Sequence, residues 1–203
     1  MERRPKGLIF VNDHFQIYFE STNLKGFTLN VLSQFKKIRL IALDVDGVLT
    51  NGNLLLNEKG DWLRQMNIKD GYALQLAVKK GYHLVIISGS YDEGVENRLK
   101  KLGIKSENLH FEISDKSSCL QKIILNLGLS TDEVLFMGDD MPDLQVLQLA
   151  GLACCPADAA EEVRAMAHYV SDYNGGCGCV RDVIRKVLSL NGDWDQNTGL
   201  SSK

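Results

Sequence analysis

Ile38-Arg39-Leu40-Ile41-Ala42-Leu43-Asp44-Val45-Asp46-Gly47-Val48-Leu49-Thr50 decides the fold of this chain. Its first half is a short apolar run, the signature of a strand buried on both faces of a parallel sheet. Ligands of open α/β sheets bind at the carboxyl ends of the strands, so Asp44 and Asp46 leave this strand where chemistry is done. Continued alternation along an extended backbone sends residues i and i+2 to one side. Gly47 then permits a sharp turn and a close approach of backbone to ligand. Two carboxylates about 4 Å apart at an effective dielectric of about 20 repel by roughly 4 kcal/mol. A divalent cation relieves that repulsion.

The same grammar repeats downstream. His83-Leu84-Val85-Ile86-Ile87 reads as a buried strand ending at Ser88-Gly89-Ser90, and Glu133-Val134-Leu135-Phe136-Met137 as another ending at Gly138-Asp139-Asp140. Asp70 is expected to cap a helix running to Lys80, with Gly81 past its end. A helix follows from about Asp92 to Leu102, and Ser114 or Asp115 caps one from Lys116 to Leu127. Leu54-Leu55-Leu56 precedes the turn-forming cluster Asn57-Glu58-Lys59-Gly60, which predicts a β-hairpin. Strands alternating with helices of this length mean a Rossmann-like parallel sheet with helices on both faces.

The domain is read over residues 38–190, after a weakly patterned lead-in, 1–37, that is either a flexible extension or a short packed segment. Residues 191–203 read as a polar, mobile tail anchored only by Trp194. The 203 residues suit one domain, and the 44% hydrophobic and 24% charged shares are ordinary for a soluble globular protein. A net charge of −3 argues against a general nucleic-acid or anionic-membrane binder, so an anionic substrate must be caught by local positive groups. No apolar stretch approaches the roughly 20 residues needed to span a bilayer, and the chain reads as cytoplasmic. Five cysteines fit reduced thiols in that compartment. Zinc held by Cys154-Cys155 and Cys177-x-Cys179 is the weaker reading, because the spacing lacks the usual CxxC.

The strand ends and one helix start supply a consistent set of groups. Asp44, Asp46 and Asp139, with Asp140 and Asp143 behind, are hard oxygen donors of the kind that suit Mg2+. Lys116 offers a point charge for a phosphate, Ser88 a hydroxyl donor opposite it, and helix N-termini add attraction for an anion.

In order, DxDGxLT (Asp44–Thr50), a strand-end serine (Ser88), a lone lysine (Lys116) and GDDxxD (Gly138–Asp143) resemble the haloacid dehalogenase superfamily. The absence of a large cap insert, the hairpin, Asn67-Ile68-Lys69-Asp70-Gly71-Tyr72 and Gly175-Gly176-x-Gly178-x-Val180-Arg181 resemble, more narrowly, the 3-deoxy-D-manno-octulosonate 8-phosphate phosphatase family. The likeness covers about residues 38–190.

That resemblance implies a phosphoric monoester hydrolase of lipopolysaccharide precursor synthesis, with Asp44 as nucleophile through an aspartyl-phosphate and Asp46 as acid and base. It implies Mg2+ held by Asp44, the Asp46 backbone carbonyl and Asp139, and Lys116 on the phosphate, oriented by Asp140 or Asp143. It places Asn67, Lys69, Asp70, Gly71 and Gly89 at the sugar site, with Arg98 meeting a carboxylate. It also implies homotetramers formed through the hairpins, in which a neighbour closes each active site. Asp46 separates two reaction classes: expulsion of a halide needs no acid there, whereas expulsion of an alkoxide does.

Two departures bear on substrate. Ser90 and Gln75 stand where the family often has arginines, and Lys69, lacking the bidentate fork of Arg, is the candidate replacement. Arg181 either docks the tail on a neighbour or lies on a solvated helix face. The alternatives left open are a phosphatase for a related nonulosonate 9-phosphate and a non-catalytic oligomerisation module of the same fold.

Overall fold

The computed structural model describes residues 24–194, with side chains from residue 31 onward. Six strands form one parallel sheet in the order β5-β4-β1-β6-β7-β8. These are β1 (Leu40–Leu43), β4 (His83–Ile87), β5 (Leu109–His110), β6 (Val134–Met137), β7 (Leu152–Cys155) and β8 (Tyr169–Val170). A separate antiparallel ribbon, β2 (Leu55–Leu56) and β3 (Trp62–Leu63), is the predicted hairpin.

β1 is central because its side chains are buried on both faces. Ile41 and Leu43 enter one apolar layer, Leu40 and Ala42 the other. The first layer is closed by α2 (Ile68–Lys79), α3 (Glu93–Lys101) and α7 (Cys179–Leu190). The second is closed by α4 (Lys116–Leu127), α5 (Leu144–Leu149) and α6 (Glu161–Met166). The predicted helix-covered parallel sheet is therefore the observed one. Chain order runs outward from β1 to β4 and β5 on one side, then to β6, β7 and β8 on the other. The switch point, and with it a crevice, falls at the carboxyl end of β1.

Residues 24–37, within the lead-in, form α1 (Leu24–Lys37). Its Phe35 is fully buried, edge-on to Tyr169, in the same layer as α7. This end of the lead-in is packed structure; residues 1–23 lie outside the described residues. At the other end Trp194 is packed on the core, but it is not the tail's sole anchor. It stands edge-on to Tyr72, and Asp193 accepts a hydrogen bond from Tyr82 at 2.8 Å. The rest of the tail lies outside the described residues.

Asp70 does not cap α2. Asn67 does, its side chain accepting from the Lys69 backbone N–H at 2.8 Å. The Asp70 carboxylate is buried and instead accepts from the backbone N–H groups of Arg181 (2.7 Å) and Gly178 (3.2 Å), at the start of α7. A carboxylate there complements the positive end of that helix.

The cysteines do not converge. Cys154 and Cys155 are neighbours on β7, so they face opposite layers of the sheet, and Cys177 is exposed on a loop. Burial pushes the Cys155 thiol up to about 11 and raises Cys154 and Cys179 further.

Candidate active site

Three strand ends and one helix start meet at the crevice. A cavity of about 450 Å³ is lined by Asp44 and Asp46 after β1, Ser88, Gly89 and Ser90 after β4, Glu112, Ile113 and Ser114 after β5, Lys116 opening α4, and Pro142. Asp44 is buried, and Lys116 Nζ stands 2.7 Å from Asp44 Oδ2 and 2.7 Å from Asp143 Oδ1. Burial opposes the ammonium, but the two carboxylates outweigh it and hold the Lys116 pKa above its ordinary value.

One oxygen each from Asp44, Asp139 and Asp143 lie within 4.8 Å of one another. Each oxygen of Asp143 has a protein partner, Oδ1 the Lys116 ammonium and Oδ2 the Asp139 backbone N–H at 3.0 Å. The same holds for Asp44, whose Oδ1 accepts the Val45 backbone N–H at 2.7 Å while Oδ2 meets Lys116; each oxygen keeps a further lone pair for a cation. Burial, reinforced for Asp44 by Asp143 and for Asp139 by Asp44, pushes each up to about 7. Three acidic groups facing one ammonium are short of positive charge, which is the deficit a divalent cation fills. The backbone makes room for this arrangement. Gly47 has φ +79°, and a Cβ there would overlap the Asp139 carboxylate; one at Gly138 would overlap Asp143.

Asp46 differs from the reading of the sequence. β1 ends at Leu43 and the chain turns, so strand alternation no longer governs residue 46. Its carboxylate joins neither Asp44 nor the acidic cluster but pairs with Arg64: Nε to Oδ1 at 2.7 Å and Nη2 to Oδ2 at 3.1 Å. Ser90 Oγ donates to the same Oδ2 at 2.9 Å. Burial works to raise the Asp46 pKa, but these hydrogen bonds win and hold it below the ordinary carboxylate value. The like charges closest to Asp44 are therefore Asp139 and Asp143.

The family model of the haloacid dehalogenase-like hydrolases matches residues 107–184, the span from before β5 through the first half of α7. Over 172 residues, 85% of this chain and 90% of the relative, the sequence is 33% identical to 3-deoxy-D-manno-octulosonate 8-phosphate phosphatase of Salmonella typhi. The chain belongs to the 3-deoxy-D-manno-octulosonate 8-phosphate phosphatase family. The Yersinia pestis enzyme of that family superposes with a TM-score of 0.80 at 32% identity, covering 85% of this chain and 92% of that one. The Moraxella catarrhalis enzyme, solved with magnesium ion, phosphate ion and the sugar acid, gives 0.78 at 31% identity over 82% and 94%. The Moraxella catarrhalis enzyme holds magnesium, and this chain carries a cluster of three aspartates of the kind that suits that ion.

Within this phosphatase family framework the proposed sugar-binding residues sort differently. Gly89 lines the cavity, whereas Asn67, Lys69, Asp70, Gly71 and Arg98 are not among its lining residues. Asn67 caps α2 and donates to the Gly176 carbonyl at 3.2 Å, and Gly176 N–H in turn donates to Val48 O at 2.9 Å. The late glycine run packs directly on the first motif; a Cβ at Gly175 would overlap the Gly47 carbonyl. Asn67 and Asp70 thus brace the site from behind. Gly71 leaves room for Arg98, whose Nη2 would lie 2.8 Å from a Cβ at that position. Lys69 is exposed on α2. Arg181 faces its own chain, with its guanidinium carbon 5.5 Å from the Tyr72 ring centre and 5.1 Å from that of Trp194. Asp140 is exposed, and of the two carboxylates expected to orient Lys116 it is Asp143 that pairs with it.

Arg64 is the residue the sequence reading missed. It follows β3 directly, 18 residues beyond Asp46, and only the return of the hairpin brings it to the site. The available signal was a lone arginine just after the exposed hairpin strand Trp62–Leu63.

Proposed function

We propose that this protein is a magnesium-dependent phosphatase that hydrolyses 3-deoxy-D-manno-octulosonate 8-phosphate to the free sugar acid and phosphate. The observation that carries this reading is the Lys116 ammonium 2.7 Å from Asp44, beside three convergent carboxylates, at the switch point of the sheet. The relatives named above supply the substrate class.

Asp44 oxygen attacks phosphorus as the ester P–O bond breaks, giving an aspartyl-phosphate. Asp46 must carry a proton in the substrate complex, against the pull of Arg64 and Ser90; it gives that proton to the departing sugar alkoxide, then takes one from the water that attacks phosphorus and frees Asp44. Lys116, held by Asp143, grips the phosphoryl oxygens, with the Ser88 hydroxyl on the opposite flank. Magnesium held by Asp44, Asp139 and the Asp46 carbonyl would neutralise charge on the transferring group. Gly89, Ser90, Glu112 and Ser114 line the cavity that would receive the sugar, and Arg98 and Lys69 are the cations assigned to its carboxylate.

The assembly is a homotetramer joined through the hairpins, and the protein works in the cytoplasm on a lipopolysaccharide precursor. Supporting the first point, Leu54, Leu55, Leu56, Trp62 and Leu63 of the hairpin are between 42% and 66% exposed. An apolar ribbon of that kind calls for a cover. A second reading, a nonulosonate 9-phosphate as substrate, is favoured by Ser90, which leaves the cavity mouth without the arginine common in the family. A non-catalytic module would not need Asp44, Lys116 and Asp139 held together as they are.

Phosphate release from octulosonate 8-phosphate, nonulosonate 9-phosphates and unrelated sugar phosphates, with and without magnesium, tests the proposal. Octulosonate 8-phosphate is expected to turn over fastest and only with magnesium. A far faster unrelated sugar phosphate would defeat the substrate assignment.

A further inference from the structure

Arg64 has no part in the steps above, yet all three of its nitrogens are engaged at the site. Nε and Nη2 fork the two oxygens of Asp46, Nη1 donates to Asp92 Oδ2 at 3.0 Å, and Ser90 Oγ lies 3.5 Å from Nη2. Its side chain is 7% exposed, against 39% for Asp46, so the guanidinium is covered while the carboxylate it holds opens to the cavity. Asp46 sits on a turn, where no strand neighbours fix its side chain. The guanidinium and Ser90 are the main side chains bonded to its carboxylate, with a lesser hydrogen bond from Thr50. Asp92 in turn is the N-cap of α3, its other oxygen accepting from Val95 N–H at 2.9 Å. The far end of the fork is thus tied to a helix.

We propose that Arg64 is a positioning residue for Asp46, holding the acid–base carboxylate in its reactive orientation through a bidentate fork braced on Asp92. This rests on reading Asp46 as the acid and base of a phosphatase. A planar, permanently charged fork fixes both the place and the tilt of a carboxylate, which a lysine ammonium cannot do. Misplacing a catalytic group by about 1 Å can cost about 10²-fold in rate. The loss belongs to steps that need the proton, not to capture of the phosphate.

The test compares two leaving groups. Release of a sugar alkoxide needs a proton, whereas p-nitrophenyl phosphate releases a phenolate stable without one. In the magnesium-loaded protein, Arg64→Met is expected to lower kcat on octulosonate 8-phosphate about 10²-fold with little change in KM. The fall on p-nitrophenyl phosphate is expected to be much smaller. Arg64→Lys should fall between Arg64→Met and the unaltered protein, and Asp92→Asn, which keeps the cap but weakens the brace, should shift kcat in the same direction. If Arg64→Met does not fold, the last two variants carry the comparison. Equal losses on both substrates would mean a structural role, and a raised KM with unchanged kcat would mean substrate contact; either overturns the proposal. If the unaltered protein cleaves another alkyl phosphate instead, the substrate assignment fails while the comparison proceeds with that ester. If it releases phosphate from no ester, the phosphatase reading fails and the proposal with it.

Discussion

Asp44, Asp139 and Asp143 compete for the single ammonium of Lys116, and the consequence is measurable as a dependence of stability on pH. Asp44 and Asp139 have folded-state values of about 7, above the 3.8 of an exposed aspartate. Between those values the folded protein binds more protons than the unfolded chain. Stability contributed by these groups is therefore present at the acid end and lost as pH rises toward 7. Asp70, also raised by burial, acts in the same direction, while Asp46, held low, exerts its pull only near and below its ordinary range. Thermal unfolding of the metal-free protein should show Tm falling from about pH 5 to about pH 8, and magnesium should stabilise far more at the upper end. A Tm equally raised by magnesium at both ends would contradict this charge balance.

Among the elements, the hairpin and α1 were read with unequal success, for physical reasons. The hairpin was legible because its turn residues are local chemistry: Asn57 Oδ1 accepts from both Lys59 and Asp61 N–H at 2.9 Å. Its exposed leucines and Trp62 are what the proposed tetramer covers. Leu55→Lys together with Trp62→Glu is expected to shift the assembly from tetramer to monomer in light scattering and to lower activity; an unchanged mass would separate the hairpin from assembly. Val31 and Phe35 of α1 and Ile38 just past its end recur at helical spacing, but about two turns of pattern in a weakly patterned lead-in is a weak signal. Phe35 is fully buried against Tyr169, so Phe35→Ala should destabilise the protein by about 3 kcal/mol in urea unfolding. A change near zero would show that α1 packs without contributing.

Over the whole molecule, the sheet and its acidic centre were legible because the candidate residues stand at the ends of apolar runs or at a helix start. Asp44, Ser88 and Asp139 are where strands run out of core, and Lys116 opens the helix that Asp115 caps. What was hidden depends on distant chain segments. Nothing local marks Arg64 as the partner of Asp46, nor Asp70 as the cap of a helix more than a hundred residues away. The nearness of Asp46 to Asp44 in sequence was also misleading, because the strand ends before both and the chain turns, giving each carboxylate its own cation.

The central claim is that Asp44 is the group that takes the phosphoryl unit inside an otherwise intact site. Phosphate release from octulosonate 8-phosphate by the magnesium-loaded protein and by Asp44→Asn measures it most directly. The unaltered protein should turn over, and the variant, folded by circular dichroism, should lose at least about 10³-fold in kcat. Turnover by Asp44→Asn within a few-fold of the unaltered rate would contradict the account.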